Sequence, residues 1–157
     1  MATYQGILLH LIFALLHGGQ DRLDLRMKQS LSEIPSQLLV ALVRSCLQRN
    51  MFSYPTMFAH FNSASVPDVF IWVGIEEVKR FALALYKVCR RCRVDDAKLL
   101  SLADLQFAMP DSDELWHASS GLASRIPASY SDRNKEDNWI SQAARFLQSD
   151  GADFDWI

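Results

Sequence analysis

Apolar residues recur along the chain at three- and four-residue steps and never alternate over a useful length, so the pattern predicts helices and no sheet. Gln5 to Leu16 is apolar nearly all round and stops at Gly18-Gly19, which predicts a buried, central helix ended by a glycine cap. Leu23, Met27, Leu31 and Ile34 carry a second periodic run over Asp21 to Ile34, and Pro35 then breaks or restarts the helix. The next run, Leu38, Leu39, Leu42, Val43, Cys46 and Leu47, forms one clear apolar face. Asn50 to Ser65, interrupted by Tyr54-Pro55, predicts a loop or a short turn of helix.

Ser65-Val66-Pro67-Asp68 then supplies a capping serine, an early proline and a first-turn acid. The stripe that follows, Ile71, Ile75, Val78, Ala82, Leu85, Cys89 and Cys92, is the best-specified helix of the sequence. Ser101 to Met109 has Leu102, Leu105 and Phe107 to anchor an extended segment across the bundle. Pro110-Asp111-Ser112-Asp113-Glu114 reads as a helix start, in which Asp or Ser caps free N–H groups and early acids meet the positive dipole end. Leu115, Trp116 and Ala118 would be the first buried residues of that helix. A last helix over Asn134 to Gln148 is suggested by Trp139, Ile140, Ala143, Ala144 and Leu147. The sum is an all-α chain, an irregular helical bundle of about five to seven helices.

Composition narrows the function. Half of the 157 residues are hydrophobic, enough to bury a core in one compact unit. Lys and Arg number 16 against 18 Asp and Glu, so there is no global basic footprint for phosphates and the chain is expected to make no direct nucleic-acid contact. The longest apolar run, "ILLHLIFALL", falls short of the ~20 residues a spanning helix needs, so no membrane association is expected. Three cysteines with no secretory leader argue for reduced thiols in the nucleus or cytoplasm.

Candidate chemistry is thin. Cys89-Arg-Arg-Cys92 has CxxC spacing, but it lies on a helical stripe without further metal ligands and reads as core packing. His10 and His17 share a spacing weakly compatible with a metal pair and read more simply as helix histidines. Glu76-Glu77 and Asp95-Asp96 are adjacent rather than convergent and read as solvated charges. The chain has no GxSxG elbow and no glycine-rich phosphate loop. The expectation is therefore no catalytic residue, no bound metal and no cofactor.

Two segments carry a resemblance. Trp72, Val73, Glu76, Lys79 and Arg80 fall where a helix of one family reads approximately Trp-Ile-x-x-Glu-x-x-Arg-Arg, and Leu105, Pro110, Glu114, Leu115, Trp116 and Ala118 fall on its Leu-Pro-Cys segment followed by acid-Leu-Trp-x-Ala. The chain thus resembles the regulatory "middle homology" domain of fungal-specific transcription factors over roughly residues 4 to 125. Residues 126–157 would add a C-terminal helix and a short acidic-aromatic tail. Asp111 stands where the family often has cysteine, Cys89 where it often has aspartate, and no cysteine-rich DNA-binding module is present.

The resemblance implies a transcription regulator acting through protein association or effector sensing, with a DNA-binding regulator or a second copy as partner, a small-molecule effector, and a metabolic gene cluster as target. Within it Glu76, Lys79 and Arg80 are expected to stabilise helix packing. The tail residues Asp153, Phe154, Asp155 and Trp156 have the composition of an acidic-hydrophobic interaction segment. Two alternatives stand beside this reading. One is a ligand-binding protein or enzyme on the same scaffold, with His10, His17, His60 and His117 as the side chains to test. The other is a truncated relative without independent function.

Overall fold

The computed structural model describes residues 1–17, 31–92, 99–118, 121–126 and 130–147. Its elements are α1 (Ala2–His17), α2 (Glu33–Gln48), α3 (Tyr54–Phe61), α4 (Asp68–Arg91), a 3-10 turn (Leu102–Asp104), the one-turn helices α5 (Asp113–Trp116), α6 (Leu122–Arg125) and α7 (Tyr130–Arg133), a second 3-10 turn (Glu136–Asn138) and α8 (Ile140–Leu147). The fold is all-α, with isolated bridges, Ser53 with Gln106 and Ala108 with Trp139, in place of strands.

Helix α4, about 36 Å long at 1.5 Å per residue, is the axis of the molecule. Its predicted stripe is buried through Ile71, Ile75, Val78, Ala82 and Leu85, and α1 and α3 pack against it. Gly74 lets α3 come close: a Cβ there would lie 2.6 Å from the Phe61 ring. Pro67, rather than Ser65, precedes the first turn, its carbonyl taking the Phe70 and Ile71 N–H groups at 2.9 and 3.4 Å. Its fixed φ directs the chain into the helix.

Asn50 to Ser65 holds a full eight-residue helix, α3, with Pro55 in its first turn. The turn before it is set by Asn50 in the left-handed region at φ 52°, a conformation asparagine tolerates. Asn50 N donates to Leu47 O at 2.9 Å and Met51 N to Cys46 O at 3.0 Å, closing α2 with a Schellman pattern.

Helix α1 is peripheral, not central. Leu8 and Leu11 are buried, but Leu9, Phe13 and Leu16 are 66, 60 and 48% exposed. A helix apolar on all faces has more apolar surface than its two neighbours, α2 and α4, can cover. Pro35 sits within the first turn of α2, where its missing N–H leaves no ladder bond unmade. The Gly18-Gly19 cap and most of the Asp21–Ile34 run lie outside the described residues; Ile34 itself is exposed and Leu31 half-buried.

The extended segment after the 3-10 turn does cross the bundle, with Leu105 and Phe107 fully buried. It also supplies acceptors to two helix starts. Gln106 O accepts from Tyr54 N of α3 at 2.8 Å, while Phe107 O and Leu105 O accept from Ile140 N and Ser141 N of α8 at 2.9 and 3.0 Å. Backbone donors that the first turn of a helix leaves unpaired are thereby satisfied. The predicted C-terminal helix is split: Asn134 and Trp139 lie before α8, and Ala143 is exposed, while Ile140 and Ala144 join the core.

Candidate functional site

The charges of "WVGIEEVKR" do not all face water. Trp72, Glu76, Lys79 and Arg80 recur at helical steps on one side of α4, and the first three are 1, 0 and 1% exposed. Glu76 is therefore a buried core residue, not a solvated charge, with Lys79 buried beside it; Glu77 alone of the acidic pair reaches the surface, where it accepts from Gln5 Nε2 at 2.7 Å.

Burying a charge is expensive unless it is paired and fully hydrogen-bonded. Lys79 Nζ donates to Glu76 Oε1 at 2.9 Å and to Asn134 Oδ1 at 2.8 Å, and it lies 5.4 Å from the Tyr130 ring centroid. Glu76 Oε2 accepts from the backbone N–H of Asp111 at 2.7 Å, and Tyr130 OH donates to Oε1 at 3.4 Å. Asp111 Oδ2 accepts from Trp72 Nε1 at 2.8 Å, and its Oδ1 forms an ion pair with Arg133. All four carboxylate oxygens are thus engaged, and two acids face two cations.

Asp111 was placed by the sequence among the cap residues of the next helix. The cap is Ser112, which accepts weakly from Leu115 N at 3.4 Å, whereas Asp111 is 5% exposed and belongs to the buried cluster. Pro110 contributes its carbonyl to Arg133 Nη2 at 3.1 Å. Glu114 is exposed; Leu115, Trp116 and Ala118 are half-buried, because α5 lasts only one turn and lies at the edge.

Arg80 and Trp116 close the cluster on its solvent side. The guanidinium donates to Asp111 O at 2.7 Å and Asp113 Oδ1 at 2.6 Å, with its carbon 4.9 Å from the Trp116 ring centroid. The Trp72 and Trp116 rings stand 5.8 Å apart. The two resembling segments therefore meet in space as one interlocked site. Tyr130, Arg133 and Asn134, spaced i, i+3 and i+4, are partners that sequence reading missed. Their spacing marks one helical face, but nothing in it points to α4.

Protonation follows burial. Desolvation holds the Lys79 ammonium below its ordinary value, opposed by the Glu76 and Asp111 charges. The Tyr130 hydroxyl is pushed well up by burial and by Glu76, so it remains a donor. Burial raises the thiols of Cys46 and Cys92 to about 11 and that of Cys89 to about 12, which keeps them as protonated thiols near neutral pH.

Among the described residues the histidine side chains do not converge. His10 is exposed on α1, the His60 and Phe61 rings of α3 meet edge to face with their centroids 4.9 Å apart, and His117 Nδ1 lies 2.8 Å from Asp113 O at the end of α5. The side chain of His17, the pair Asp95-Asp96 and the tail with Asp153, Phe154, Asp155 and Trp156 lie outside the described residues. Among the described residues no group of three or more His, Cys, Asp or Glu is placed to hold a metal ion. Every oxygen of Glu76 and Asp111 is engaged, while the buried Nε of Arg80 has no hydrogen-bond partner among the described residues.

The fold and site define an all-α protein whose long central helix is tied to two later segments by a closed ionic cluster. No protein-family model, curated protein or solved structure matches the chain. Among the described residues no helix is long and apolar enough to cross a membrane.

Proposed function

We propose that this chain is a regulatory module of transcription, similar to the middle homology domain of fungal transcription factors, that acts through protein association or effector sensing. The observation that supports this most is the meeting of the two resembling segments: the rings of Trp72 and Trp116 stand 5.8 Å apart, and the Arg80 guanidinium carbon lies 4.9 Å from the Trp116 ring centroid. A shared resemblance of two distant segments gains weight when their side chains lock together.

In this reading Glu76, Lys79 and Arg80 are positioning residues that hold the helical scaffold. The DNA reader is supplied by a partner or by a separate module, since the net charge of -2 gives little attraction to phosphates. The site of action is the nucleus or the cytoplasm, and a metabolic gene cluster is the target class that the resemblance suggests. Fluorescence anisotropy with duplex DNA tests the division of labour. The expected result is weak, salt-sensitive and sequence-independent binding; tight, sequence-specific binding by the chain alone at physiological salt would overturn it.

A further inference from the structure

We infer that the cleft between α1, α3 and α4 is a small-molecule site for an aromatic anion that also carries a hydrogen-bond donor. This deepens the effector-sensing side of the regulatory reading and rests on that reading only for what the binding is used for. The cleft has a volume of about 600 Å³, in the range of ligand sites. Met51, Met57 and Phe61 line it, and thioethers with an aromatic ring suit a planar aromatic body.

Met1 and His60 also line it, and its two charged side chains differ in sign. Arg49, just past the end of α2, is exposed, and among the described residues its guanidinium has no hydrogen-bond or ion-pair partner. Opposite in charge is Glu77 on α4. One of its oxygens is held by Gln5 at 2.7 Å, and among the described residues the second accepts nothing. Arg49 would take the anionic group of the ligand and Glu77 its donor, with the ring between them on the methionines. The contrast with the ionic cluster is direct, for there every carboxylate oxygen is already engaged.

The site also explains two choices of residue that the helical pattern leaves open. Thr56 on α3 is a small side chain at the wall of the cleft, held by Asn50 Nδ2 at 3.1 Å, so it leaves the volume open. Glu77 follows Glu76 directly, yet the first carboxylate is buried in the cluster and the second lines the cleft, placing the two sites on different faces of the same helix.

The test is a fluorescence titration of the full chain with 6-hydroxy-2-naphthoate, a fluorescent probe with an anion at one end of an aromatic body and an O–H donor at the other. The expected result is one saturable site per chain, weakened about tenfold in Arg49→Ala and abolished in Thr56→Trp, which fills the cleft. Leu9→Ser removes an exposed apolar residue of α1 and should leave the titration unchanged. Circular dichroism establishes that each variant is folded. Dye binding that is unsaturable, that persists undiminished in both Arg49→Ala and Thr56→Trp, or that disappears in Leu9→Ser would overturn the site. A saturable site on a chain that fails to alter transcription would uphold the cleft and remove the regulatory reading, so the two failures are distinct.

Discussion

Trp72 Nε1 donates to Asp111 Oδ2 across 2.8 Å, joining positions 39 apart in sequence inside the core. Asp111 also takes Arg133 and gives its carbonyl to Arg80, so α4 and α7 both depend on one residue. Asp111→Ala leaves the buried Trp72 N–H without its acceptor and Arg133 with only the carbonyls of Met109 and Pro110, and it should cost about 2–4 kcal/mol of stability. Asp111→Asn keeps an acceptor for Trp72 and should cost less. Urea denaturation followed by tryptophan fluorescence measures both; equal, small losses would show that the bond is incidental.

Glu76 and Lys79 form a pair whose loss should be asymmetric. Removing either partner alone strands a buried charge, with about 3–5 kcal/mol expected for Glu76→Leu or Lys79→Met. The double variant should be less destabilised than the sum of the singles, by 0.5 to about 3 kcal/mol in a double-mutant cycle. Additive losses would mean that each residue acts through its other partners, Asp111 and Asn134.

Gly74 is required by packing. Its Cβ position lies 2.6 Å from the Phe61 ring, so Gly74→Ala should push α3 away from α4 and cost about 1–3 kcal/mol, although alanine is the better helix former. Adding Phe61→Leu to that variant should recover part of the loss. A stabilised Gly74→Ala would show that α3 yields freely.

Alkaline pH should unfold the chain earlier than neutral pH. The thiols, two buried and Cys89 half-buried, have folded values of about 11 to 12 against an ordinary 9.0, and Tyr130 is also raised. Above pH 9 the unfolded chain therefore loses protons that the folded chain keeps, and stability falls. Lys79 acts in the opposite direction, because its folded value is lowered: its unfavourable burial is present in full at low pH and relaxes as pH rises toward 10.5. The thiols outnumber it, so the urea midpoint should fall between pH 8.5 and about 10.5, and less so in Cys46→Ala.

The all-α class and the stripe of α4 were legible because Ile71, Ile75, Val78, Ala82 and Leu85 keep one period without interruption. Other features were not, and for identifiable reasons. The hydrophobicity of α1 told nothing of how much neighbouring surface exists to cover it, so Leu9 and Phe13 remain exposed where burial was expected. Asp111 was indistinguishable from a cap residue by local rules, since caps and buried acceptors use the same side chains. Its role depends on Trp72 and Arg133, far away along the chain. The Schellman turn at Asn50 was readable in principle, but Tyr54-Pro55 suggested a loop or a short turn of helix where the proline opens the eight-residue α3.

The central claim is that the tied segments build a regulatory module, and tethering tests it most directly. The full chain is fused to a heterologous DNA-binding domain, and transcription of a reporter bearing that domain's site is measured in a fungal cell, with Asp111→Ala as the variant that unties α4. The account predicts a change in reporter output relative to the DNA-binding domain alone, reduced in Asp111→Ala at equal protein level. Output identical to that of the DNA-binding domain alone, from a fusion shown to be folded and present at the promoter, would contradict it.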